Sequence, residues 1–279
     1  MAEVYATPPS TLGASSKGPA VHRDQSTVLS IRRLEKVFGS RESVTTALAG
    51  ISFDVQAGEF VGIMGPSGSG KTTLLNCVST IDAPTSGQIQ VAGADITKMS
   101  KRQLAKFRRD DLGFIFQDSN LLDTLNGREN IALALTIRNE SPARIAAKVD
   151  SVAEQLGVSD VLKKFPHQMS GGQRQRVAAA RAIVGNPKLV LADEPTGALD
   201  SRSSAVMLDA LSAMNENLGA TIMMVTHDAF AASFTSRVLF IKDGALFNEI
   251  RRGDLSREEF YARIMEVVVF LGGGARHAG

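Results

Sequence analysis

One run constrains this chain more than any other: Gly65-Pro66-Ser67-Gly68-Ser69-Gly70-Lys71-Thr72 matches G-x-x-x-x-G-K-[ST] at every fixed position. An apolar run at residues 60–64 precedes it, and an amphipathic pattern follows. The chain therefore has to pass from a buried strand, through a tight glycine loop, into a helix. Glycines let the backbone N–H groups turn inward around phosphates, where side chains would block them. The helix starting at about Lys71 aims its positive N-terminal end at the same anion. Lys71 is expected to reach the β- and γ-phosphates of a nucleotide, and the Thr72 hydroxyl to coordinate Mg²⁺. The phosphate-binding set extends through Thr73.

The rest of the composition narrows the class. At 279 residues there is ample material for a core. A 43% hydrophobic and 22% charged make-up is that of an ordinary globular protein. A net charge of +2 is too small to argue for nucleic acid or an anionic membrane surface as a partner. The basic stretch from Lys101 to Arg109 carries Leu104 and Phe107 at i, i+3, which fits a solvated amphipathic helix. Cys77 is the single cysteine, set among Leu74, Leu75, Val78 and Ile81, so it reads as a small core residue in a reducing compartment. No run approaches the roughly 20 apolar residues of a membrane span, and no signal-peptide core is expected at the start.

Residues 1–27 are rich in Ala, Ser, Thr, Pro and Gly, and are expected to form a disordered tail. Ile51, Phe53 and Val55 alternate with polar residues, as do Ile89 and Val91, which predicts a small antiparallel sheet. The runs at residues 60–64, 189–192 and 221–225 are almost wholly apolar and fit parallel strands buried on both faces. Residues 118–180 read as a helical insert, with a helix around residues 143–156. Asp243-Gly244 marks a hairpin, and residues 257–265 a final helix. The expected fold class is α/β.

Further motifs follow in order. Gln117 ends the strand-like run Leu112-Gly113-Phe114-Ile115-Phe116. Met169-Ser170-Gly171-Gly172-Gln173-Arg174-Gln175-Arg176 precedes an apolar strand ending in Asp193-Glu194. Ala198-Leu199-Asp200 comes next, and His227-Asp228 after the strand at 221–225. By itself, an Asp-Glu pair at a strand end is a solvated turn, and a lone His is a structural residue. Together with the glycine loop, these motifs resemble the ATP-binding-cassette (ABC) ATPases from about Leu29 to the C-terminus.

The resemblance implies an ABC ATPase fold: a P-loop, RecA-like core (28–117 and 181–255), an antiparallel β subdomain, a helical subdomain (118–180), and a C-terminal helix and tail (256–279). It implies ATP and Mg²⁺, with Asp193 and Gln117 joining Thr72 at the metal. Glu194 resembles the general base, Gln117 the Q-loop glutamine, and His227 the switch histidine. Ser170, Gly171, Gly172 and Gln173 form the signature, which in that family closes over ATP held by a second cassette. Asp200 resembles the D-loop aspartate and also suits a helix N-cap. Phe38 is the candidate adenine-stacking aromatic, although the family often has Tyr there. Met169 replaces the usual Leu, a swap of similar volume.

Residues 113–130 and Ser79-Thr80-Ile81-Asp82-Ala83-Pro84-Thr85-Ser86-Gly87 resemble the branch that exports peptide antibiotics of the bacitracin type. Macrolide-export and lipoprotein-release ATPases share Ala192-Asp193-Glu194-Pro195-Thr196-Gly197, but usually carry Pro near Asp123. The branch implies two copies of this chain at the cytoplasmic face of the membrane, bound to a separate integral membrane permease that often reports to a sensor histidine kinase. Residues 118–126 would be the surface that meets the permease. A macrolide-export, lipoprotein-release or cell-division-type cassette is the alternative. A non-transport cassette fits less well: the 117–170 segment is too short for the coiled coil of repair cassettes, and there is one P-loop where translation cassettes have two.

Overall fold

In the computed structural model, residues 26–40 and 43–273 are described. The tail expected over residues 1–27 lies outside the described residues up to position 25. Its last two positions belong to the fold instead. Thr27 opens the first strand, and the Ser26 carbonyl accepts a 2.8 Å hydrogen bond from the Ala57 N–H. Composition misses this because a small polar residue joins a ladder through its backbone as readily as an apolar one.

The strands and helices run β1 (Thr27–Ser40), β2 (Ser43–Gln56), β3 (Phe60–Met64), α1 (Lys71–Val78), β4 (Ser86–Val91), β5 (Ala94–Asp95), α2 (Lys101–Asp110), β6 (Leu112–Ile115), α3 (Gly127–Thr136) and α4 (Pro142–Gln155). They continue with α5 (Gly171–Ile183), β7 (Leu189–Asp193), α6 (Ser201–Leu218), β8 (Ile222–Val225), α7 (Ala229–Ala232), β9 (Arg237–Lys242), β10 (Ala245–Arg251) and α8 (Arg257–Gly273). Two sheets form, one ordered β2-β1-β4-β5 and antiparallel, the other β10-β9-β3-β8-β7-β6. In the second, β9, β3, β8, β7 and β6 are parallel and only β10 runs against them.

The apolar runs are explained by this sheet having two covered faces. Successive residues of its strands enter different cores. Val190, Ala192, Ile222 and Met224 pack with the helices α3 to α6. Leu189, Leu191, Met223 and Val225 pack against α1 and the antiparallel sheet, where Cys77 also sits at 1% exposure. A third core joins Met64 and Phe240 to Ala232 of α7 and to Phe260, Ile264 and Leu271 of α8. That packing carries α8 well past residue 265, where the sequence pattern ends, on to Gly273. Similarly, α5 continues through position 180 without a break, so the helical segment and the core share one helix.

Arg237 fastens the two sheets together. Its guanidinium reaches Glu59 at 2.7 Å, Glu249 at 3.3 Å and the Asp54 carbonyl at 2.6 Å, although its side chain is only 6% exposed. A buried cation needs such a full set of acceptors to offset its desolvation.

Candidate active site

The glycine loop is shaped by what crowds it. At Gly65 an added Cβ would lie 2.1 Å from the Ile241 carbonyl oxygen of β9. Gly70 has φ of +104°, and a Cβ there would lie 2.4 Å from the Ala47 carbonyl oxygen of β2. Only glycine satisfies both the close approach and the left-handed backbone. The hairpin between β9 and β10 supports the loop as well, since the Gly244 N–H donates to the Ser69 carbonyl at 3.1 Å. Inside the loop, the Lys71 ammonium donates to the carbonyls of Gly65 and Pro66, each at 2.8 Å. Burial lowers the pKa of Lys71, against the pull of the Glu194 and Asp193 carboxylates.

Two features test the loop for an anionic ligand. The α1 N-terminus has neither a side-chain cap nor an acidic residue in its first turn, so its leading N–H groups face outward unpaired by side chains. The Ser69 hydroxyl is buried and finds no hydrogen-bond partner among the described residues. A polyphosphate would satisfy both. Thr72 and Thr73 lie in that first turn.

At the end of β7 the two carboxylates part company. Asp193 is the last strand residue, and burial raises its pKa, with the neighbouring Glu194 charge adding to the rise and Lys71 opposing it. Glu194 leaves the sheet with φ of +47°, rare for a residue with a side chain and a mark of local strain. Its N–H donates to the Val225 carbonyl at 2.9 Å, and its carbonyl accepts from the Gly197 N–H at 2.9 Å, which holds the turn. The carboxylate reaches His227, with Nδ1 2.8 Å from Oε1 and 2.6 Å from Oε2. His227 is set by its neighbours. The Thr226 N–H donates to the Ile63 carbonyl, the Thr226 hydroxyl accepts from the Asp228 N–H at 3.0 Å, and Asp228 caps α7.

Gly65, Pro66, Ser67, Gly68, Lys71, Thr72, Glu194 and His227 line one cleft of about 490 Å³, walled on its far side by Val268 and Leu271 of α8. Glu194 and His227 also line a second cleft of about 500 Å³ on the side of Thr196, Leu199 and Ser201, so the pair forms the partition between the two. The oxygen donors Thr72, Asp193 and Gln117 are the hard type that Mg²⁺ takes. Among the described residues no group of three or more His, Cys, Asp or Glu makes a metal cage, so Mg²⁺ here would depend on phosphate oxygens for its remaining ligands.

The signature lies elsewhere. Ser170 to Gln173 line no part of the cleft around Lys71. Gly171 instead borders a separate cleft with Gln117 and Leu199. Ser170 and Gln173 form a capping box at the start of α5, the Ser170 hydroxyl accepting from the Gln173 N–H at 3.2 Å. The hydroxyl hydrogen is left to donate to another group. Asp200 caps α6 through the Ser203 N–H at 2.9 Å, and the Ser203 bonds lower its pKa. Gln117 follows β6 and packs on Gly197, whose Cβ would lie 3.2 Å from the glutamine side chain. Phe38 is 42% exposed on β1, with the Lys36 ammonium 4.7 Å from its ring centre.

Sequence reasoning passed over Gln175. It is 2% exposed on the buried face of α5. The signal was present: a polar side chain in a helical stripe otherwise made of Gly172, Ala178, Ala179 and Ile183 needs partners to be buried.

Comparison with known proteins places the chain. The sequence model of the family described as ABC transporter matches residues 48–197. The ABC transporter ATP-binding protein YxdL of Bacillus subtilis is 48% identical over 248 residues, spanning 89% of this chain and 96% of that protein. The bacitracin export ATP-binding protein BceA of Halalkalibacterium halodurans is 47% identical over 246 residues, spanning 88% and 97%. The dimeric post-hydrolysis structure of the ATP-binding cassette MJ0796, bound to ADP and Pi, superposes with a TM-score of 0.72 at 36% identity, over 80% of this chain and 98% of that one.

Proposed function

The chain belongs to the ABC transporter family as an ATP-binding subunit whose ATP hydrolysis is coupled to transport, and on that premise we propose which residues carry the reaction and what it drives. The observation that carries the reading is the single cleft shared by the phosphate loop, Glu194 and His227. ATP is held through its phosphates by residues 65–73 and by Lys71, with the adenine on Phe38. Thr72, Asp193 and Gln117 hold Mg²⁺, which neutralises charge on the phosphate oxygens when bound. Glu194 accepts a proton from the attacking water as the water oxygen bonds to the γ-phosphorus and the bond to ADP breaks. His227 holds the Glu194 carboxylate in place and faces the γ-phosphate.

Two copies are needed in this reading. The signature residues border no part of the chain's own phosphate cleft, so Ser170 to Gln173 serve the ATP of a second copy, with Asp200 beside them. Among the described residues no helix is long and apolar enough to cross a membrane. We assign the membrane step to a separate permease, docked on residues 118–126 from the cytoplasmic side.

The 47% identity to BceA supports resistance to, or export of, bacitracin-like peptides as the driven process. A permease encoded beside this chain, co-expressed with it in a bacitracin-sensitive host, should raise the tolerated bacitracin concentration, and Lys71→Ala should remove the gain. No gain with a permease that assembles with the chain would reject this substrate class. A sensor kinase that responds to bacitracin only when the pair is present would extend the assignment to signalling.

A further inference from the structure

From the helix that opens with the signature, Gln175 touches two further functional segments at once. Its side-chain amide donates to the carbonyls of Phe116, Gln117 at 3.2 Å and Pro195 at 3.0 Å. An amide nitrogen has two hydrogens, so three carbonyls share them, and the side chain is held from three sides. The first two carbonyls belong to the segment that leads out of β6 and carries Gln117. The third follows directly on Glu194, in the turn with the positive φ. A buried amide with this many acceptors has one available position, so the segments it joins cannot shift independently without leaving carbonyls unpaired. Further along the same helix, the Arg181 guanidinium donates to the carbonyls of Asn120 at 2.8 Å and Ser119 at 3.0 Å. One helix, capped by Ser170, thus grips through Gln175 and Arg181 the backbone around and after Gln117 and the backbone that follows Glu194.

We infer that Gln175 is a positioning residue that makes the signature helix, Gln117 and the Glu194 turn move as one part, so that seating Ser170 on one ATP adjusts the residues around the other. This rests on the site assignments proposed above. Gln175 lines no part of the cleft around Lys71 and acts through Gln117 and Glu194. Its loss should therefore slow turnover while leaving ATP affinity unchanged.

The test uses the purified full chain and two near-isosteric variants, Gln175→Met, which removes both donors, and Gln175→Glu, which turns the donor into an acceptor. We expect kcat for ATP hydrolysis to fall roughly 10- to 100-fold, the range in which small misplacements of reacting groups act, with KM within about twofold. ATP-driven dimerisation, measured by gel filtration with Glu194→Gln added to stop hydrolysis, should persist. Adding Ser170→Ala to Gln175→Met should cost less than it does in the wild-type chain, because the link it acts through is already cut. An unchanged kcat in either soluble variant overturns the inference. A fall in kcat matched by lost dimerisation and a lowered Tm overturns it too, since that outcome describes a scaffold. Hydrolysis by Glu194→Gln alone would instead sink the underlying site assignment, which separates the two failures.

Discussion

The Glu194 carboxylate and the His227 imidazole are directly bonded, Nδ1 lying 2.8 Å from Oε1 across a separation of 33 residues. Glu194 is mostly buried, with a side-chain exposure of 20%, whereas His227 is 71% exposed. The carboxylate is therefore the anchored member, and the histidine closes over it from the open side of the cleft.

If Glu194 takes the proton from water, Glu194→Gln should lower phosphate release by about 10²- to 10⁴-fold while ATP binding survives. His227→Ala should lower it too, because the carboxylate loses the partner that orients it. The double variant should be no slower than the slower single variant, since the two side chains act as a unit. Phosphate release and fluorescent-nucleotide titration measure these quantities, and fully additive losses would argue for independent roles.

Ser170 lines no part of the cleft around Lys71 in its own chain, so a Ser170→Ala chain and a Lys71→Ala chain, each expected to be inactive alone, should recover part of their activity when mixed. A mixed dimer has one site with both residues intact. Hydrolysis across a titration of mixing ratios should peak between the pure samples. A flat line at the single-variant level would count against action between copies.

Arg237 is a stability residue. Arg237→Ala leaves Glu59 without its cation, while Glu249 keeps Arg251 at 2.7 Å, and breaking a buried pair such as Arg237–Glu59 costs about 3–5 kcal/mol. Urea unfolding should show a free-energy loss of that size, read as a lowered midpoint with little change in slope. Because the guanidinium also holds the Asp54 carbonyl of β2, hydrogen exchange should rise in both sheets.

Cys77 should be silent in the folded chain. Burial, aided by the Asp82 charge, pushes its thiol from 9.0 up to about 11, with Lys36 acting weakly the other way. At pH 8 alkylation by iodoacetamide should be roughly 100-fold slower than in urea, because the thiolate is correspondingly scarcer. The sign for stability follows from the raised value: the folded state keeps this proton more tightly than the unfolded state. The contribution is complete below about 9 and is lost as pH rises through about 11. A Cys77→Ala chain should lack this part of the alkaline decline in its unfolding midpoint.

What could be read from the sequence was whatever is written within a few neighbouring positions. The loop from Gly65 to Thr72, the apolar strands β3, β7 and β8, and the cap residues Ser170 and Asp200 all follow local rules of period, turn and cap. The alternation of Ile51, Phe53 and Val55 was enough to foresee the antiparallel sheet. Only the tertiary structure decided which of these local features meet. The Glu194 bond to His227, the grip of Gln175 on carbonyls up to 59 positions away, and the Arg237 pair with Glu59 across 178 positions all join residues that no local pattern relates. Such contacts depend on the order in which the parallel strands stack, and that order places the ends of β3, β7 and β8 side by side. A hydrogen bond requires atoms within about 3 Å, and over such separations only the packed fold brings them that close.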